Sequence, residues 1–260
     1  LVDAGWRLDE NLDVRISPWL NWTYANDLAG PTKVATLSTQ LQRGFIRNSG
    51  EGWEVRIGRD IVSWGVSDAV NPTDYLGVKD QTFLTFQDEI KRRGLNQIKI
   101  KWTADEGRSP FGVEVVLSGQ APRTDVLEPE QTLPQGVRDL GVRSSQKGDF
   151  GANLAARAQY TGEGWEGSFS GYSGQSALPE YQLLESSLLS IGVGRQHQRV
   201  MAFGLDGSTT HKKWIFRWES AHRRFSLSDG KSELLQQPTL DTVLGVERPL
   251  GDRWRVHLQL

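Results

Sequence analysis

Between Gly58 and Asp74 the chain reads GRDIVSWGVSDAVNPTD, and this stretch holds its most chemically loaded spacing. Arg59, Trp64, Asp68, Asn71 and Asp74 fall within sixteen residues, and Arg92 and Arg93 follow before the next apolar run. Asn71-Pro72 is a turn initiator, because Asn bonds its own backbone and Pro fixes φ. Several carboxylates facing an arginine pair can hold a loop by charge-assisted hydrogen bonds. Two readings stay open for residues 65–90: a constriction or plug loop folded into a lumen, or a structured extracellular loop held by the same pairs. Other chemistry is poorly supplied. The four histidines, His197, His211, His222 and His257, lie on separate segments without metal-ligand spacing. There is no GxSxG nucleophile elbow, and Gly192-Val193-Gly194 opens no helix. Cysteine is absent, which removes disulfides, thiolate metal sites and thiol catalysis. The expectation is a chain that is not an enzyme, with no metal and no cofactor.

The elements that carry these residues read as strands. Leu12, Val14, Ile16, Pro18, Leu20, Trp22 and Tyr24 alternate with Asp13, Arg15, Ser17, Trp19, Asn21 and Thr23. A period of two is the mark of a strand with two unlike faces. The pattern recurs through Ala35–Phe45, Trp53–Ile57, Ile98–Trp102, Phe111–Leu117, Leu154–Tyr160, Trp214–Trp218, Leu240–Val246 and Trp254–Leu260. Eleven or twelve such strands are legible, longer than the about 5–6 residues usual in soluble proteins and close to the about 9–11 that cross a bilayer. No run of apolar residues is long enough for a membrane helix.

Aromatic residues gather near strand ends: Trp22, Tyr24, Phe45, Trp53, Trp102, Tyr160, Trp165 and Trp254. Membrane barrels place such rings at the bilayer interfaces. Connections alternate short and long, with short turns at 48–52, 104–109, 161–164, 206–210 and 249–252. Bacterial barrels likewise pair short periplasmic turns with longer outer loops. The alternation requires 188–206 to be one long strand. Short helices over the barrel mouth are expected within 178–190 and 133–142. The fold class is therefore all-β, an antiparallel transmembrane barrel forming one domain over 1–260. An even strand count would need at least one more strand after Leu260.

In that barrel the charged face lines the lumen: Arg15, Glu54, Arg56, Lys99, Lys101, Glu114, Arg157, Arg217, Glu219, Asp241, Glu247, Arg253, Arg255 and His257. Basic residues outnumber acidic ones, which suits polar or anionic solutes, unless the charges pair off inside a closed barrel. With 30 basic and 32 acidic residues the chain has no bulk positive field for nucleic acid. The expected role is a channel, porin or export pore in the bacterial outer membrane, in contact with the lipid bilayer and lipopolysaccharide. One alternative is a barrel that scaffolds or sheathes a partner protein of an envelope complex. Another is a soluble periplasmic β-protein binding glycans, with its apolar faces buried inside.

Arg59, Trp64-Gly65, Asp68 and Asn71-Pro72-Thr73-Asp74, then Phe83-Leu84-Thr85 and Asp88-Glu89 to Arg92-Arg93-Gly94, resemble the signature of an uncharacterised family of Gram-negative outer-membrane barrels. More distantly the pattern is similar to alginate-export-type barrels. The match covers about 52–103; Asp60 and Phe86-Gln87 depart from it. The resemblance implies an outer-membrane location and a channel or export role, without a substrate.

Overall fold

In the computed structural model the described residues are 3–26, 33–67, 70–81, 91–104, 111–120, 122–124, 143–146, 151–187, 190–226, 237–250 and 254–260. Asp68, the segment 82–90, residues 125–142 and Arg253 therefore lie outside the description, as does the helix expected within 133–142. The alternating stretches form strands: β1 (Ala4–Arg7), β2 (Leu12–Asn26), β3 (Lys33–Gly50), β4 (Trp53–Asp60), β5 (Leu95–Thr103), β6 (Phe111–Ser118), β7 (Arg143–Gln146), β8 (Asn153–Gly162), β9 (Trp165–Gln175), β10 (Glu180–Ser187), β11 (Ser190–Gln196), β12 (Arg199–His211), β13 (Trp214–Ser226), β14 (Thr239–Leu250) and β15 (Trp254–Gln259). Twelve of them make one antiparallel sheet in the order β1-β2-β3-β4-β5-β6-β8-β9-β12-β13-β14-β15. Its outermost strands, β1 and β15, are not paired with each other among the described residues.

The sheet is inside-out relative to a soluble protein. Ile57, Ile98, Phe169, Phe203, Leu205 and Leu244 are all exposed, and most of their inward neighbours, such as Lys99, Ser168, Ser170, Gly204 and Asp206, are polar or small. Such a continuous apolar outer face requires a lipid surround. The soluble glycan-binding alternative is thereby corrected, because it needs those faces buried. The strands alternate outward apolar and inward polar, as transmembrane barrels do. Trp53, Trp102, Phe111, Tyr160, Trp165 and Trp214 all sit at the short-turn ends of their strands. Tyr160 stacks on Trp165 at 4.9 Å, and the Arg248 guanidinium lies 4.7 Å over Trp214. This is an interfacial girdle, with ring faces in lipid and polar edges toward water.

Four details differ from the alternation. First, the described residues within 178–190 form no helix: β10 pairs antiparallel with β11, and β7 joins them in a separate three-stranded sheet. The expected single strand over 188–206 is accordingly two, β11 and β12, separated by the buried His197 and Gln198. The β10–β11 pair still leaves short and long connections alternating, since β9 pairs with β12 directly. Second, 206–210 is strand, and that turn lies at Lys212-Lys213. Third, the β2–β3 register shifts between Ser17 and Pro18, where Pro18 has no N–H to offer the ladder. The extra residue on β3 is Gln42, which turns inward while Leu41 stays outward. Past a one-residue shift every side chain changes face. Phe45 is therefore buried beneath the Arg56 guanidinium instead of facing out with Leu41, and Ile46 takes the outer position. Fourth, Arg59 shares the outer face of Ile57, pairs across to Gly44, and its Nε donates to the Leu41 carbonyl. Asp60 is the inward residue.

Candidate functional site

After β4 the chain does not run over the rim. Residues 61–67 and 70–81 pass through the interior of the sheet, and 91–94 return to β5. The loop is fastened to strands on several sides. Glu219, on β13, is fully buried. Its Oε1 accepts the N–H groups of Val66 at 2.6 Å and Ser67 at 2.5 Å, and its Oε2 accepts the Thr73 hydroxyl at 3.0 Å. Successive backbone N–H groups around one carboxylate form an anion nest. Gly65 makes the turn possible. It has φ +90°, and a Cβ there would stand 2.8 Å from both Glu219 oxygens. On the same strand Arg223 donates to the Pro72 carbonyl at 2.6 Å and pairs with Asp241.

Aromatic contacts fix the other side. Trp64 Nε1 donates to Glu114 of β6 at 2.8 Å. Tyr75 stacks on Tyr172 of β9 at 5.7 Å and meets the edge of Trp64. Gly204 on β12 lets the loop approach, for a Cβ there would collide with Tyr75 Oη and come 2.7 Å from Thr73 Cγ2. Within the loop, Asp74 accepts from Trp64 N at 3.2 Å and from Arg92 at 2.7 Å. Burial pushes the Asp74 carboxyl above its usual range, with Arg92 and the Trp64 N–H pulling the other way. Arg93 pairs with Asp80, and its guanidinium lies 5.9 Å from the Trp19 ring of β2.

Opposite these anchors, β2–β5 carry a ladder of mixed charge. Asp60 is buried and receives Lys99 at 2.9 Å and Arg56 at 3.1 Å, with Arg43 at 3.5 Å. Arg47 bonds Asp13, and Arg15 bonds Asp3. On the far wall Arg157 bonds Asp206 at 2.8 Å, and Arg217 bonds Glu247 at 2.7 Å. Two gaps lie beside residues 61–66 of the loop. One, about 360 Å³, is lined by Ser17, Trp19, Gln42, Arg43, Ile61, Ser63 and Arg92. The other, about 200 Å³, lies among Gly65, Val66, Arg157, Gln159, Glu166 and Asp206.

Of the loop residues expected from sequence, the structure brings Trp64, Asp74 and Arg92 together, and Arg93 lies beside them against β2. Asn71 lines a 500 Å³ cavity on the long-loop side of the crossing loop. Arg59 lies outside the group, on the outer face. Of the lumen residues, Arg15, Arg56, Lys99, Lys101, Glu114, Arg157, Arg217 and Glu219 take the inward face of their strands. Arg255 has inward register opposite Pro249, and its side chain is not described. Sequence reasoning missed Gln42, Asp60, Asp206 and Arg223. Asp60 and Arg223 continue the parity of Arg56 and Glu219, which was the available signal. Gln42 continues the polar parity of Gln40, opposite the outward Leu41.

No family model matches the chain, and no curated protein matches its sequence. Its fold is similar to that of OmpT of Vibrio cholerae, an outer membrane protein, in the trimer form. That likeness has TM-score 0.52 and 9% identity, covering 98% of this chain and 65% of that one. A second similar structure is OmpT with loop L8 deleted, at TM-score 0.53 and 11% identity, covering 99% and 70%. This chain thus spans about two thirds of those barrels. The likeness shows an outer-membrane β-barrel fold. It also overturns the expectation that the chain is not an enzyme. That exclusion rested on missing local signatures, and a fold shared with OmpT at this identity leaves no ground for it. A barrel can assemble a catalytic set from separated strands, with no contiguous signature.

Proposed function

We propose that the protein is an outer-membrane channel for polar or anionic solutes, with the crossing loop, residues 61–67 and 70–81, as its constriction. The observation that carries this reading is the Glu219 nest. A buried carboxylate on β13 holds a loop that arises from β4, and so fixes a barrier across the interior. The charged ladder of β2–β5 faces that barrier over a polar gap, as a selective water-filled path requires. The residues that bear the family resemblance, Trp64-Gly65, Asn71-Pro72-Thr73-Asp74 and Arg92-Arg93-Gly94, belong to this loop, which supports membership of that barrel family. A single channel domain accounts for every described strand of the large sheet. Lipopolysaccharide would meet the exposed His222 and Arg224 on the long-loop side of β13. The sheath reading gains no support, because the loop itself occupies interior space that a partner chain would need.

The test is reconstitution of the purified protein into planar bilayers. Discrete ohmic current steps in potassium chloride are expected. A silent membrane with correctly folded, heat-modifiable protein would refute the channel.

A further inference from the structure

The 360 Å³ gap beside the loop holds polar atoms with no partner. Gln42 is 3% exposed, and neither its Oε1 nor its Nε2 has a hydrogen bond. The Trp19 Nε1–H is likewise buried and unmatched. Arg43 reaches Asp60 only at 3.5 Å, and its Nε–H makes no hydrogen bond. Buried polar groups are almost always satisfied, so a cluster of unmet ones around one cavity marks a place for a ligand or water. The gap is within the size range of small-molecule sites, roughly 300–1,000 Å³.

The lining sets the chemistry. Trp19, Gln42, Arg43 and Arg92 supply donors, two of them cationic, and no carboxylate is among the described lining residues. Gln42 Oε1 stands among these donors as an unmet acceptor. Ile61 and the Trp19 ring give an apolar wall. The geometry points to a recognition site for small hydroxycarboxylates, beside the loop that crosses the proposed path. The carboxylate would lie against Arg43 and the Trp19 N–H, and a hydroxyl would donate to Gln42 Oε1 while its oxygen accepts from Gln42 Nε2. The inference deepens the channel reading by naming its solute class.

Binding of three six-carbon probes to the purified full chain in detergent, by titration calorimetry, tests the site without needing conductance. Gluconate carries a carboxylate and hydroxyls, sorbitol only hydroxyls, and hexanoate only the carboxylate. Gluconate should bind at least tenfold tighter than either, since a hydrogen bond to a charged group is worth about a decade or more. Trp19→Phe keeps the ring and removes the donor, and Arg43→Gln leaves Asp60 with Lys99 and Arg56. Each should weaken gluconate about tenfold, in protein whose heat-modifiable migration is unchanged. Equal affinity for gluconate and either comparator would overturn the inference. So would gluconate binding that ignores both substitutions. Protein that conducts but shows no gluconate preference defeats this inference alone. Protein that binds gluconate but never conducts defeats only the channel.

Discussion

Replacing Glu219 by alanine removes the acceptor that ties the loop to β13. Two amide donors, at 2.5 and 2.6 Å, and one hydroxyl at 3.0 Å lose their partner in the barrel interior. Each buried donor left unmet costs about 1–3 kcal/mol. Water entering the gap recovers part of this, so the net loss is about 3 kcal/mol. At about 1.4 kcal/mol per tenfold, the docked-to-released ratio should fall about a hundredfold. Glu219→Gln keeps one acceptor oxygen and loses the charge, and charge-assisted bonds are about twice as strong as neutral ones. Its effect should be about half as large in free energy, near tenfold. Amide hydrogen exchange reads this directly. Val66 and Ser67 should exchange about a hundredfold faster in the alanine variant, with the β6–β8 ladder unchanged, and bilayer conductance should rise. Unchanged exchange at Val66 and Ser67 would refute the claim that Glu219 anchors the loop.

Gly204→Val puts a branched side chain where Tyr75 and Thr73 now stand. Overpacking of this kind costs about 1–3 kcal/mol, so Tyr75 should lose its stack on Tyr172 and conductance should rise without loss of the heat-modifiable barrel. Arg92→Leu leaves Asp74 buried without the cation bonded to it, so the folded-state pKa of Asp74 moves further above its unfolded value. The loop of that variant should then hold at acid pH and loosen as pH rises toward that raised pKa, by at most about 1.4 kcal/mol per pH unit. Exchange at Trp64 followed across pH should show this slope, and Asp74→Asn in the same background should abolish it. Leu205→Arg puts a charge on the lipid face in mid-strand and should destabilise the barrel by about 2–4 kcal/mol in urea titrations from vesicles. Ser208→Arg, on the inward face of β12, should cost much less.

The strands were legible because a bilayer and a wet interior impose period two without exception along most of their length. Trp214, Phe216 and Trp218 against Arg217 and Glu219 needed no other information. The crossing loop was partly legible: Asn71-Pro72, Asp74 and Arg92 announce a structured turn, yet Glu219 lies on a strand far along the chain, and no local pattern links it to Val66 and Ser67. The bulge at Gln42 was invisible for a similar reason. One inserted residue looks like continued alternation until the partner strand fixes the register, and only then does Phe45 turn inward. Leu183, Leu184, Leu188 and Leu189 match a helical spacing in the sequence, and the strand pairing of Glu180–Ser187 with Ser190–Gln196 overrides it.

The central claim is that solutes pass beside the crossing loop within a membrane barrel. The chain has no cysteine, so Ser63→Cys creates a single thiol at the wall of the 360 Å³ gap. Bilayer current through that variant, recorded before and after a charged methanethiosulfonate reagent, tests the claim most directly. The account predicts a clear stepwise fall in current on modification, reversed by a reducing agent and absent in the unsubstituted protein. Complete labelling with unchanged current would contradict it.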